Sequence, residues 1–224
     1  MARRFAVIAS HYDLANDVLS LGLHRVGRRA LMTELALTAG LRVLDVGAGS
    51  GDLALRALRR GARVTLVDGC EAMLAVAKRR LGQGCRAVVG DALRLPFADE
   101  AFDVAMVGYV LRNVLSARRL FEEMGRVVVP GGRVACLEFT QPSGPIRPLF
   151  RAYLVTVVPA VGGLVDREAY RYLGRSVACV AGAEVVARAM TEAGLEDVRV
   201  RRCVLGTMAV HVGRVGAKPQ AQGR

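Results

Sequence analysis

Three glycines and three aspartates carry the chemistry most visible in this chain. Val43-Leu44-Asp45-Val46-Gly47-Ala48-Gly49-Ser50-Gly51-Asp52 runs from an apolar stretch through an acid into glycines that alternate with small residues, and a helical pattern comes next. Glycine reaches φ > 0 and has no side chain, so a strand entering this turn brings bare backbone against a ligand. The spacing is G-x-G-x-G rather than the G-x-G-x-x-G of the dinucleotide fingerprint. Such a turn can also serve only to pack a helix on a strand, and the next two strands decide between these roles. Ala62 to Asp68 reads as a second β-branched strand ending in a carboxylate, 17 residues beyond Gly51. In nucleotide-binding α/β folds an acid at that tip accepts hydrogen bonds from ribose hydroxyls, its two oxygens matching two vicinal donors. Val88-Val89-Gly90-Asp91-Ala92 repeats the pattern. One such aspartate is commonly a solvated turn carboxylate; three in register, each closing an apolar strand, point to a bound ligand.

The elements that hold these residues alternate. Strands are expected over 42–46, 63–67, 86–89, 103–108 and 132–138, with helices near 51–60, 70–81 and 116–128. That rhythm predicts an α/β fold with a doubly wound, mostly parallel sheet. Pro130-Gly131-Gly132 reads as a tight turn feeding the fifth strand. The first 40 residues read as helical, with Arg28 to Leu37 an apolar-basic helix ending at Gly40. Residues 142–180 break the alternation: Pro142, Pro145 and Pro148 lead into an apolar run, and the segment reads as a helical lid. Ala183 to Ala193 is expected as a helix stopped by Gly194, and Val198–Val204 with Thr207–Val212 as a closing strand pair. The expected organisation is a single domain over 1–215, made of N-terminal helices (1–40), a ligand-binding core (41–141), the lid insertion (142–180) and a C-terminal helix with strands (181–215). Residues 216–224 read as a disordered tail.

Composition bounds the partners. At 224 residues the chain can enclose one sizeable core. Apolar residues make up 53%, yet no run approaches the ~18–20 residues a membrane helix needs. The longest, Ala152 to Val165, is 14 residues broken by Pro159, Gly162 and Gly163. The apolar stretch after Arg3 and Arg4 is too short for a signal peptide. Five scattered cysteines without a C-x-x-C pair favour reduced thiols in a cytoplasmic protein over disulfides, and no metal site is read. The net charge of +12 is spread over clusters at Arg25/Arg28/Arg29, Arg56/Arg59/Arg60, Lys78/Arg79/Arg80, Arg118/Arg119 and Arg199/Arg201/Arg202. They lack interleaved aromatics, which argues against nucleic acid. An anionic membrane surface attracts the same charges at about 1 kcal/mol each, so a peripheral contact at the inner membrane face is one expectation. Solubility in an arginine-rich proteome is the bland alternative. A homodimer is compatible with the chain and not required by it.

The glycine turn, with Asp45 before it and Asp52 after it, resembles the cofactor loop of class I S-adenosyl-L-methionine (SAM) methyltransferases. That cofactor has no pyrophosphate, so the helix start need not be reserved for an anion. Over nearly its whole length the chain resembles the ubiquinone/menaquinone biosynthesis C-methyltransferase family. The similarity is carried by His11-Tyr12-Asp13-Leu14-Ala15-Asn16-Asp17, Leu19 to His24, Leu95-Pro96-Phe97-Ala98-Asp99, Leu111-Arg112-Asn113-Val114, Leu137-Glu138-Phe139, Ala169-Tyr170-Arg171-Tyr172-Leu173 and Ala209-Val210-His211. The resemblance implies a Rossmann-like fold, SAM as cofactor, and transfer of its methyl to a ring carbon of a polyprenylated hydroquinone such as demethylmenaquinol. Carried over, Ser50 (usually Thr in the family), Asp68, Asp91, which would hold the adenine amino group, and Ala92 contact the cofactor. Asp45, Gly47, Gly49, Gly51, Gly69 and Met73 complete the expected cofactor set. Gly108, where the family often has Ser, could offer only backbone. Tyr109-Val110 in place of the usual Phe-Gly, Gly47-Ala48, Gly69-Cys70 and Val129 are further departures, which bear on substrate choice more than on cofactor use.

Alkylating a ring carbon needs electron density there, so a hydroquinone hydroxyl must lose its proton at or before attack. A phenol of pKa about 10 is little ionised at neutral pH, so the site must stabilise the phenolate, take its proton, or both. Arg112 is the main candidate for the first task; with a pKa above ~12 it is a poor acceptor. Asn113 could orient a ring oxygen. Strand-end capping with a surface ion pair is the alternative for both. Proton acceptors come from His11, His24, His211 and Asp13, though each His can equally be a hydrogen-bonded structural residue. Tyr12 and Asp13 could close over the site, or Asp13 could cap a helix. Tyr170 and Tyr172 could line a ring pocket or pack the lid, and the Ala152–Val165 stretch suits an isoprenoid tail or ordinary core packing. Competing readings are a methyltransferase for another phenolic acceptor, one for RNA or protein, and an idle SAM-binding scaffold. Against base methylation, Tyr109-Val110-Leu111-Arg112 stands where an N/D-P-P-Y tetrapeptide would be expected.

Overall fold

Residues 43–46, 104–107 and 134–137 are buried on both faces of their strands, which is the pattern of a sheet covered by helices on both sides. The computed structural model describes residues 22–142, 144–160 and 182–217. Its strands are β1 (Arg42–Val46), β2 (Arg63–Asp68), β3 (Cys85–Val89), β4 (Phe102–Gly108), β5 (Val128–Phe139), β6 (Leu195–Cys203) and β7 (Met208–Val215). They form one sheet in the order β3-β2-β1-β4-β5-β7-β6. β1 pairs in parallel with β2 and with β4, and β7 lies antiparallel between β5 and β6. The chain winds outward from β1 to β3 and then restarts at β4. The crevice beyond the strand ends at β1 and β4 is therefore the topological switch point where such folds bind ligands.

The helices are α1 (His24–Leu35), α2 (Asp52–Leu58), α3 (Glu71–Leu81), α4 (Ala117–Val127), α5 (Ile146–Ala152) and α6 (Ala183–Glu192). Strand alternation sorts the core into two layers. Val43, Val104, Met106 and Leu137 pack under α1, α2 and α3, while Leu44, Ala105, Val107 and Cys136 pack under α4 and α6. Ser116 caps α4, its Oγ accepting the Arg119 N–H at 3.1 Å. α5 continues through a π turn over Tyr153–Val157.

Two expected boundaries shift. α1 stops at Leu35 rather than Leu37, and its buried stripe is His24, Gly27, Ala30, Leu31 and Leu35. It ends when Ala36 turns left-handed (φ 41°) and returns its N–H to the Thr33 carbonyl. β5 starts at Val128 rather than Gly132: Val128 already pairs with Phe102, and the ladder resumes at Arg133 with Val104 after an irregularity. Among the described residues no helix is long and apolar enough to cross a membrane. His11, Tyr12, Asp13, Tyr170, Tyr172, the part of the lid from 161 to 180 and the tail beyond 217 lie outside the described residues.

Candidate active site

All three glycines of the turn are left-handed: Gly47 at φ 63°, Gly49 at 54° and Gly51 at 83°. This is the conformation only glycine adopts without strain. The turn is held from within. Gly47 and Ala48 donate to the Val67 carbonyl at 2.8 and 3.1 Å, and Gly51 donates to the Ala48 carbonyl at 2.9 Å. A Cβ on Gly51 would lie 2.8 Å from Leu81 and 3.2 Å from Ala77, so Gly51 seats the turn on α3.

The acids at the strand tips tie the turn in place. Asp68 Oδ2 accepts the Gly49 N–H and Oδ1 the Cys70 N–H, both at 2.8 Å. Asp91 Oδ1 accepts the Leu93 N–H at 2.9 Å. Asp45 is 1% exposed, and its Oδ2 accepts the Ala54 N–H at 3.0 Å, one of the orphan donors at the start of α2. Burial pushes the Asp45 carboxyl up to about 8, opposed by that N–H and by the charge of Arg28.

These groups border a cavity of about 690 Å³ over the strand ends. Met73 and Gly108 form part of its floor, and Ile146, Leu149, Phe150 and Tyr153 of the lid segment form one wall. A Cβ on Gly108 would lie 2.8 Å from Leu53 Cδ1, which explains a bare residue here. At the next position Tyr109 is left-handed (φ 61°), a strained state for a bulky residue. Its N–H donates to the Leu137 carbonyl at 2.8 Å and its ring packs 4.7 Å from Phe139. Its hydroxyl meets Met208 Sδ at 3.5 Å, and burial raises the phenol well above its ordinary pKa.

Arg112 sits in the short turn Leu111–Asn113 after β4, with its side chain 9% exposed. Its Nη1 lies 3.8 Å from Glu138 Oε1 and has no hydrogen-bond partner. Glu138, fully buried at the end of β5, accepts the N–H of Leu111 at 3.0 Å and of Phe139 at 2.9 Å. A buried cation with an unmade hydrogen bond at a cavity wall is suited to an oxygen that gains negative charge.

Of the expected residues, Asp45, Gly47, Gly49, Ser50, Asp68, Gly69, Met73, Asp91, Ala92, Gly108, Arg112 and Asn113 line the cavity. Gly51 does not; it packs on α3. His211 is a correction. It is fully buried, its Nε2 donates to the Ala183 carbonyl at 2.9 Å, and it lies outside the cavity. The cause is strand alternation: His211 pairs with Cys136, on the face covered by α4 and α6, while Met208 and Val210 take the α1 face. His24, at the start of α1, does line the cavity. Sequence reasoning missed Glu138, Tyr109 and Arg28. Glu138 carried the same signal as the three aspartates, an acid closing an apolar strand.

Known proteins share this architecture. Residues 1–215 match the model of the ubiE/COQ5 methyltransferase family. The ubiquinone/menaquinone biosynthesis C-methyltransferase of Paracoccus denitrificans is 40% identical over 219 residues, covering 93% of this chain and 88% of that protein. Its counterpart from Coxiella burnetii is 38% identical over 220 residues, with the same coverage. Among solved structures, a SAM-dependent methyltransferase from Thermotoga maritima superposes with a TM-score of 0.71 at 18% identity, covering 96% of this chain and 100% of that one. A methyltransferase from Haloferax volcanii, solved in complex with its Trm112 activator, gives 0.70 at 18%, covering 95% and 98%. At that identity the structural likeness speaks to the fold.

Proposed function

The chain belongs to the ubiE/COQ5 methyltransferase family, and from that premise we propose that it methylates a ring carbon of a polyprenylated hydroquinone, with Arg112 stabilising the phenolate. It is a SAM-dependent methyltransferase, and its catalytic unit is taken as one domain over 1–215. The cavity fits the cofactor: left-handed bare backbone at Gly47 and Gly49, carboxylates at the tips of β2 and β3, and an apolar floor at Met73. When bound, SAM supplies an electrophilic methyl on a sulfonium sulfur. Asp68 is assigned to the ribose hydroxyls and Asp91 with Ala92 to the adenine. The observation that carries the acceptor reading is the unpartnered, buried Nη1 of Arg112 at the cavity wall. Its charge lowers the energy of the phenolate, and Asn113 beside it orients a second ring oxygen. Ile146, Leu149, Phe150 and Leu154 give an isoprenoid tail an apolar path out of the cavity. The walls exclude water and hold the ring in line with the methyl.

The same wall supports a peripheral membrane contact. Leu149 is 72% and Leu205 77% exposed at the cavity mouth, and Arg147 and Arg151 stand exposed on the same helix. An apolar tip flanked by arginines suits an anionic lipid surface, where the substrate resides. Co-sedimentation with anionic vesicles should fall as salt rises and fall further in Leu149→Glu; salt-independent pelleting counts against this contact.

The deciding experiment gives purified protein methyl-labelled SAM and chemically reduced demethylmenaquinone, and reads the quinone's mass. One labelled methyl, gained only after reduction and lost in Arg112→Ala, supports the reading. SAM binding without transfer favours another acceptor.

A further inference from the structure

Among the described residues two guanidinium groups line the main cavity, Arg112 beyond β4 and Arg28 from α1. Arg112 is assigned to the acceptor; Arg28 has no role yet. Its side chain is 12% exposed, and its Nη1 lies 2.6 Å from Asp52 Oδ2, at the first residue of α2. The other Asp52 oxygen lies 2.8 Å from Arg80 Nη2, so this carboxylate divides one charge between two arginines. A guanidinium carries five N–H donors, and one contact with Asp52 leaves Arg28 others to direct at a ligand. Burial pushes the Asp45 carboxyl and the Tyr109 phenol up, and the charge of Arg28 pulls both down, so its field reaches into the cavity.

Four N–H groups of the glycine turn are spent within the fold. Gly47, Ala48 and Gly51 donate to carbonyls within the turn and β2, Gly49 donates to Asp68, and Ala54 donates to Asp45. In phosphate-binding loops those N–H groups face the anion. A guanidinium at the cavity wall offers a negative group a charged donor in their place. The cofactor has one, the α-carboxylate of its amino-acid arm. With the nucleoside over Asp68 and Asp91, at β2 and β3, sheet order directs that arm past β1 to the turn, the start of α2 and α1. Arg28 stands there.

We propose that Arg28, braced by Asp52, binds the α-carboxylate of the cofactor. The inference rests on SAM as the cofactor. Decarboxylated SAM lacks this carboxylate and keeps the sulfonium, amine and nucleoside, so it isolates the contact. By calorimetry the intact chain should bind SAM roughly 10- to 100-fold more tightly than decarboxylated SAM, the range of a charge-assisted hydrogen bond. Arg28→Gln should close that gap by weakening SAM alone, and Arg28→Lys should restore part of it. Arg59→Gln, in the neighbouring basic hollow but outside the main cavity, should leave the gap intact. Equal weakening of both ligands in both Arg28 variants, or a gap that survives Arg28→Gln, overturns the assignment. Failure of the intact chain to bind either ligand instead overturns the cofactor reading, and this inference with it.

Discussion

Glu138 lies 3.8 Å from Arg112 without a hydrogen bond to it, while each of its carboxylate oxygens accepts a backbone N–H, from Leu111 and from Phe139. The charge is balanced while the bonding capacity of Nη1 stays unused. Burial raises the Glu138 carboxyl; Arg112 and the two N–H groups pull it back down. The other titratable groups whose fields couple to Glu138 are Tyr109 and Cys136. Glu138→Gln offers one acceptor where two are needed, so the turn carrying Arg112 shifts and kcat should fall roughly 10-fold with KM little changed. Removing the negative charge also leaves Arg112 unopposed. The acceptor's phenol then ionises more easily, and the acid limb of the kcat profile should move to lower pH. A variant that loses only thermal stability, with an unmoved acid limb, would show Glu138 to be a brace and nothing more.

Asp45 makes stability depend on pH in an uncommon direction. Its carboxyl is raised from 3.8 to about 8. A raised acid favours the folded state fully below its unfolded pKa, and that contribution is lost as pH rises through the folded pKa. The window is therefore about pH 4 to 8, with a slope of up to about 1.4 kcal/mol per pH unit. Asp45→Asn keeps an oxygen for the Ala54 N–H and cannot ionise. Urea melts at pH 5, 6.5 and 8 should show the parent losing stability relative to the variant as pH rises; parallel curves would mean Asp45 does not titrate in this window.

Much of this could be read from the chain because it rests on local rules. Strand ends at Asp45, Asp68 and Asp91 follow from β-branched runs closed by acids, and positive φ at Gly47, Gly49 and Gly51 follows from what only glycine does cheaply. Two of the features that escaped are tertiary. Tyr109 is left-handed because its N–H is drawn to the Leu137 carbonyl and its ring to Phe139, contacts made across strands. His211 turned away from the site because the register of β7 against β5 fixed its face, and a one-residue shift would have reversed it.

Arg126 should matter to stability and hardly to chemistry. Its guanidinium donates to the carbonyls of Leu95 and Phe97 and pairs with Asp99 and Glu123, while Glu123 accepts the Leu95 N–H at 2.8 Å. This network fastens the 95–99 segment onto α4. Arg126→Ala leaves the half-buried carbonyls without this donor, while Glu123 keeps Arg119 and the Leu95 N–H, at a cost of roughly 1–3 kcal/mol. The unfolding free energy from urea melts should fall by that amount, while SAM affinity of the folded fraction stays within about twofold. A selective loss of SAM binding would instead couple this network to the cavity.

Gly108 and Leu53 share one space. The family often places Ser where this chain has Gly108, yet a Cβ there would lie 2.8 Å from Leu53 Cδ1. Gly108 does not have a positive φ, so the obstacle is packing rather than backbone. Gly108→Ser alone should cost about 1–3 kcal/mol, the range for overfilling a packed site, and should also weaken SAM, since Leu53 lines the cavity and must move. Leu53→Ala opens the space at its own cost of about 2–5 kcal/mol. In the double variant the serine fits where the leucine was, so the two effects should fall short of their sum by at least about 0.5 kcal/mol. Strict additivity in both stability and SAM affinity would mean that Leu53 yields without strain, and that the glycine at 108 has no steric cause.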